Sequence, residues 1–154
     1  MPPLTEAEVQ VGLVAYLDEQ PLRNHPDVRW FNGRGSYHGP PAVRPFVCSA
    51  VDAGSCQWTP LTREESTGSG YGRARILPAW KSGGTSACHG NEWLAEDSYL
   101  VDGANIYEGP VEPFVLASHA ECTSPATRAR VNADGTRRIE AEVAKQVARR
   151  EEAR

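Results

Sequence analysis

Six short apolar or alternating segments, separated by turn residues, constrain the fold of this chain most strongly. They are residues 28–31, 43–51, 74–80, 97–101, 104–109 and 111–118. Glycine, proline, asparagine and serine are frequent in the intervals between them. Short apolar segments separated by such turn residues are typical of antiparallel β-strands joined by long connections. We therefore expect residues 28–144 to form a β-rich core.

Residues 1–20 carry a different pattern, which predicts an amphipathic helix. Thr5 and Glu8 have the spacing of a capping box. Behind them, Val9, Leu13 and Tyr16 fall on one helical stripe, and Pro21 follows the predicted end of the helix.

The stretch 126–143 can be interpreted in two ways. Asn132 to Gly135 has the chemistry of a hairpin turn, and pairing across it sets Arg128 opposite Glu140. The alternative is a helix, because Ile139, Val143 and Val147 are spaced by four residues. The preferred prediction is a hairpin through residue 144, followed by a short polar tail over 145–154.

These elements together predict one α+β domain over residues 1–154. It would contain an N-terminal amphipathic helix, a mainly antiparallel sheet or small sandwich, and a C-terminal β-hairpin with a short helical tail. A chain of 154 residues is long enough to bury such a core.

The charge and hydropathy patterns limit the expected partners. A net charge of −4 argues against a nucleic-acid partner, which needs a basic surface. The chain has no apolar run of about 18 residues, so we expect no membrane span. Its N-terminus has neither the basic segment nor the apolar stretch of a signal peptide. Protein subunits are therefore the expected partners.

Four cysteines supply the most specific candidate chemistry: Cys48, Cys56, Cys88 and Cys122. Their even number in loop-rich surroundings favours two disulfides, for which 48–56 and 88–122 are one of three possible pairings. Free buried thiols are the second possibility. A zinc site drawn from these cysteines and His119 is the third, although the chain has no CxxC motif.

The segment GSCQW, residues 54–58, resembles the nucleophile region of papain-like and CHAP amidase families. The resemblance implies Cys56 as nucleophile and His119 as its base. Those enzymes place the cysteine at a helix N-terminus, which lowers the thiol pKa. Trp58-Thr59-Pro60 makes a continuing helix after Cys56 unfavourable. A structural role for Cys56 is therefore preferred, with no catalytic residue and no cofactor other than the alternative zinc.

The segment PVEPFVLASHAECTSPATRARVNADGTRRIEAEV, residues 110–143, resembles the last strands of minor type IV pilin domains. It shares with them an apolar strand, a link of small residues and an arginine-rich strand. Pilins begin with a long apolar helix, whereas residues 1–20 here are amphipathic. The resemblance covers about the last fifth of the chain, and no functional residue is carried over from it.

The sequence thus favours a non-enzymatic structural protein that is a subunit of an extracellular filament or a phage particle. The physical grounds are the turn-rich β pattern, the lack of a convergent catalytic set and an exposed hairpin edge able to pair with another chain. Its expected location is extracytoplasmic or in a virion. The alternatives are a small zinc-stabilised binding module and a Cys/His hydrolase.

Overall fold

The structure is a computed structural model that describes residues 4–30, 40–63, 73–84, 92–100, 106–118 and 128–152. It confirms the predicted α+β class. The strands are β1 (Val14–Asp18), β2 (Arg29–Trp30), β3 (Val43–Asp52), β4 (Ser55–Thr62), β5 (Arg75–Ile76), β6 (Lys81–Ser82), β7 (Ser98–Leu100), β8 (Tyr107–Pro110) and β9 (Arg130–Val131). The helices are α1 (Glu19–Asn24), α2 (Glu92–Ala95), α3 (Val111–Ala117) and α4 (Ala133–Glu152). Short 3₁₀ turns occupy Glu6–Glu8 and Pro78–Trp80.

The antiparallel hairpin of β3 and β4 forms the centre of the main sheet. Its two-residue loop consists of Ala53 and Gly54, whose φ angles are 46° and 85°. Two positive φ angles in succession are typical of the type I′ turn, whose twist matches that of the strands. β1 pairs with the outer side of β3, and β6 pairs with β9 in a separate two-stranded sheet.

β4 changes partner along its length. Its first residues pair with β8, which in turn pairs with β2, whereas Leu61 and Thr62 pair with β7. Pro60 lies directly before this second pairing and donates no hydrogen bond, so the change of partner accommodates it. The fork gives one edge of the central hairpin two separate neighbours.

Helices cover both faces of the sheet. On one face, α1 and α3 bury Leu22 and Phe114 against Leu17, Phe46 and Trp58. On the other face, α4 packs against the sheet in a second apolar cluster. That cluster includes Val14, Val47, Ile139 and Val143.

The predicted N-terminal helix over residues 1–20 is wrong. The capping box exists, with Glu8 Oε1 accepting from the Thr5 amide at 2.9 Å, but it closes only the first 3₁₀ turn. Gly12 then adopts a φ of 98°. A Cβ at Gly12 would collide with the carbonyl oxygen of Val131, so only glycine allows this close approach. The following residues form β1, which is buried on both faces. A strand buried on both faces has a continuous apolar run, which cannot be distinguished from a buried helix by its sequence pattern alone.

The predicted C-terminal hairpin is also wrong, because α4 runs from Ala133 to Glu152, and the predicted short helical tail is the end of this longer helix. Asn132 is the helix cap: its Oδ1 accepts from the Gly135 amide at 3.0 Å. Ile139 and Val143 are buried, and Val147 packs beside them. The helical spacing of these residues therefore outweighs the turn chemistry of residues 132–135.

Among the predicted strands, the segment 43–51 is confirmed as most of β3, and four others overlap the shorter strands β2, β5, β7 and β8. The segment 111–118 is instead helical: α3 begins after Pro110, with Pro113 in its first turn, where a missing amide hydrogen does no harm. Central strand β4 was missed, because Gln57 and Pro60 interrupt its apolar pattern.

Candidate functional site

One end of the sheet carries an open groove whose floor is a row of residues on four strands. Ala50 pairs with Gln57, Gln57 with Glu108, and Glu108 with Arg29. Directly opposed residues project from the same face of a sheet. The row therefore crosses β3, β4, β8 and β2 on a single face.

The same face is apolar at its other end. Val14 pairs with Val47, and Val47 pairs with Thr59. These valines belong to the apolar cluster that contains Ile139 and Val143 of α4. The face thus changes along the strands from an apolar end under α4 to a polar end at the groove.

Three carboxylates and one guanidinium group are the charged groups of the groove, which has a volume of about 370 Å³. The lining residues are Asp27, Arg29, Ala50, Asp52, Ser55, Cys56, Gln57, Glu108 and Gly109. Arg29 Nη1 lies 3.8 Å from Glu108 Oε1. Asp27 and Asp52 have no ion-pair partner among the residues that the structure describes. The groove therefore carries a net negative charge.

Two backbone features set the walls of the groove. The tight β3–β4 loop pairs Asp52 with Ser55 and holds both at one rim. At the opposite wall, a Cβ on Gly109 would lie 2.8 Å from the carbonyl oxygen of Asp27. Only glycine lets the chain at Asp27 pass this close to β8. The position of Asp27 therefore depends on Gly109.

Gln57 has a fixed amide on the groove floor. Its Oε1 accepts from Ser49 Oγ at 2.9 Å, and Ser49 Oγ lies 3.0 Å from Thr59 Oγ1. Ser49 is the extra residue at the bulge of β3, and both hydroxyls are buried. Since the amide oxygen is engaged, the amide nitrogen of Gln57 is left as a donor without a protein acceptor in the described part of the chain.

Glu19 forms a buried network on the opposite face of the sheet. Its Oε1 accepts from Arg44 Nε at 2.5 Å and from the Ala42 amide at 3.3 Å. Its Oε2 accepts from Tyr107 Oη at 2.5 Å and from Arg23 Nη2 at 3.1 Å. Four donors occupy this carboxylate, so it is a structural junction of α1, β3 and β8 and not a free base.

Tyr107 completes this junction as a donor. Burial, together with the hydrogen bond to Glu19, raises the pKa of the phenol well above its usual range. The phenol therefore stays protonated at neutral pH. The ring also packs against Phe46, with their centroids 5.5 Å apart, and Trp30 stacks on it at 6.2 Å.

Lys81 is a second buried charged residue whose amine makes its hydrogen bonds within the protein. Its Nζ donates to the carbonyl oxygens of Trp93 and Glu96, at 2.9 and 2.6 Å, and to Ser98 Oγ at 2.9 Å. Burial lowers the pKa of this amine. All three donors are used, so Lys81 joins β6 to the α2–β7 segment and offers nothing to a ligand.

Cys48 and Cys56 are free thiols in the structure, and both are buried. Cys48 pairs with Trp58, whereas Cys56 pairs with Val51. The two cysteines are diagonal neighbours, and such positions are roughly 7–8 Å apart, farther than most disulfides span. The strand register thus explains why the expected 48–56 bond is not formed here.

The environment of Cys56 opposes a role as nucleophile. Burial raises the pKa of its thiol to about 11, although Trp58 Nε1 donates to the sulfur at 3.2 Å. Burial likewise raises the pKa of Cys48 to about 12. The neutral thiol is a poor nucleophile and a poor metal ligand.

The remaining predicted site residues, Cys88, His119 and Cys122, lie outside the described residues. The 88–122 pairing, the proposed base and the zinc alternative therefore remain predictions. Within the described ranges, no group of three or more His, Cys, Asp or Glu side chains is placed to hold a metal ion.

The described helices include none with the length and apolar character needed to cross a bilayer. Comparisons of the chain with protein-family models, with curated proteins and with solved structures found no match. The resemblance of the C-terminal fifth to pilin domains stays a prediction.

Sequence reasoning missed the groove residues Asp27, Asp52, Gln57 and Glu108. The one local signal was Asp52-Ala53-Gly54-Ser55, which has the composition of a tight hairpin turn. That turn would have revealed β4 and placed Asp52 beside Ser55. The other two acidic residues reach the groove only through strand pairing across long sequence separations.

Proposed function

We propose that this protein is a non-enzymatic subunit of a larger protein assembly and that the groove is its contact surface for another protein. The observation that carries the proposal is the polar end of the sheet face, where side chains of four strands line an open acidic groove. A cleft lined mainly by charges of one sign attracts partners of the opposite charge. A C-terminal hairpin edge cannot be this contact surface, because residues 133–152 are helical.

The chemistry of the described residues favours binding over catalysis. The buried thiols are protonated, and the buried carboxylate of Glu19 is fully hydrogen-bonded. A general base needs a free lone pair within reach of a substrate, and a nucleophile needs activation. Neither requirement is met by Cys56 or Glu19. An extracytoplasmic or virion location stays a prediction.

Site-specific photo-cross-linking in the native cells tests this proposal. The photoreactive residue p-benzoylphenylalanine would replace the exposed Ser55 at the groove rim. As a matched control, it would replace the exposed Glu140 on the outer side of α4. We expect one discrete cross-linked protein species from position 55, and its loss when Asp52→Lys reverses the charge of the rim.

Two results would contradict the proposal. One is the absence of any discrete product from position 55. The other is the same product from positions 55 and 140, because the contact would then not involve the groove. Mass spectrometry of the cross-linked band identifies the partner and the residue that it places at the rim.

A further inference from the structure

We infer that the groove binds an extended segment of the partner protein that carries arginine side chains. This inference rests on the proposed function and adds the chemistry of the partner. Asp27 and Asp52 stand at opposite walls, without an ion-pair partner among the described residues. Carboxylates bind guanidinium groups through paired charge-assisted hydrogen bonds.

Arg29 shows that the floor of the groove already accepts a guanidinium group. Its side chain is 73% exposed and lies 3.8 Å from Glu108, so the contact is loose. An exposed ion pair of this kind contributes little to stability. An arginine of the partner can therefore share or take over the Glu108 carboxylate at small cost.

The width of the groove indicates the length of the bound segment. Its floor crosses the four strands β3, β4, β8 and β2. Three intervals between neighbouring strands, each about 4.8 Å, give a span of roughly 14 Å. An extended chain covers that span with about four or five residues, and alternate side chains point the same way. Two arginines two residues apart would thus reach separate carboxylates.

Gln57 favours a peptide over a simple cation. Its amide nitrogen is a donor that no described protein group accepts, and a peptide carbonyl can accept from it, whereas a polyamine carries no acceptor. The acidic walls disfavour a phosphate backbone, since like charges repel. A basic peptide segment satisfies both the carboxylates and the amide.

Fluorescence anisotropy with short labelled peptides tests the inference on the full chain. We expect Ala-Arg-Ala-Arg-Ala to bind and Ala-Glu-Ala-Glu-Ala not to bind. Asp52→Asn and Glu108→Gln should each weaken binding by about 4-fold, the effect of one lost ion pair at an exposed site. Glu140→Gln, which removes the same charge from an exposed site on α4, should leave the affinity within about 2-fold of wild type.

Circular dichroism spectra and melting temperatures equal to those of wild type would show that the groove variants are folded. The inference is overturned if the arginine peptide fails to bind at millimolar concentration, or if the groove variants bind it as well as wild type does. If position 55 captures a partner and the arginine peptide still fails, the groove is an interface for other chemistry. In that case the proposed function survives and this inference does not.

Discussion

Glu19→Gln tests whether the buried carboxylate holds α1, β3 and β8 together. The change keeps the shape of the side chain but removes the charge that faces Arg23 and Arg44. It also places an amide donor among groups that themselves donate. Because Glu19 is only 1% exposed, water cannot replace the lost contacts.

The expected loss follows from the exposure of the partners. Removing one member of a buried ion pair costs about 3–5 kcal/mol of unfolding free energy. The side chains of Arg23 and Arg44 are 15% and 31% exposed, so water recovers part of their charge solvation. We therefore expect Glu19→Gln to lower the unfolding free energy by about 3 kcal/mol, at the lower end of that range. With a urea m-value of about 2 kcal/mol/M, the midpoint falls by about 1.5 M.

Urea unfolding followed by circular dichroism measures this loss at pH 7. Tyr107→Phe removes the hydrogen bond that Tyr107 donates to the same carboxylate and the one that it accepts from Arg23 Nε, and should cost about 2 kcal/mol. Glu140→Gln makes the same chemical change at an exposed position and should stay within about 0.5 kcal/mol of wild type. A loss below about 1 kcal/mol for Glu19→Gln would refute the structural role of the network.

Three further predictions address other parts of the fold. Asn132→Ala should cost about 1 kcal/mol in urea unfolding, whereas Asn132→Ser, which keeps a capping oxygen, should cost much less. Burial alone would raise the pKa of Glu8, but hydrogen bonds from Arg128 and Thr5 hold it below the ordinary 4.5. The stabilisation that ionised Glu8 provides is therefore complete above about pH 4.5 and is lost as the pH falls through the pKa of Glu8 in the folded state. The difference in unfolding free energy between wild type and Glu8→Gln should shrink over this pH range. Peptide mapping after iodoacetamide at pH 8 should show Cys48 and Cys56 unlabelled until urea unfolds the protein, and rapid native labelling would contradict their burial.

The sequence predicted best where a long apolar run lay between turn residues. The apolar run 43–51 became β3 because a two-residue turn and a paired strand follow it. The predictions were wrong where a run of apolar residues is compatible with both a strand and a helix. β1 and α3 carry similar runs of valine and leucine, and contacts distant in the sequence decided between strand and helix.

The groove could not be predicted because no short motif contains it. Asp27 precedes β2, Asp52 ends β3, and Glu108 lies in β8, so only the strand order brings them together. The cysteines were candidate site residues because cysteine is rare and reactive. Cys48 and Cys56 are instead neutral thiols within the core. Burial, which decides their reactivity, depends on the fold and not on the local sequence.

Titration of the ¹⁵N-labelled protein with Ala-Arg-Ala-Arg-Ala, followed by two-dimensional NMR, tests the central claim most directly. We expect saturable shifts at the backbone amides of Asp27, Asp52 and Glu108 and at the side-chain amide of Gln57. Resonances from the outer face of α4, including Glu140, should not move. Shifts scattered over the surface without saturation, or shifts that leave the Gln57 side chain unchanged, would contradict binding in the groove.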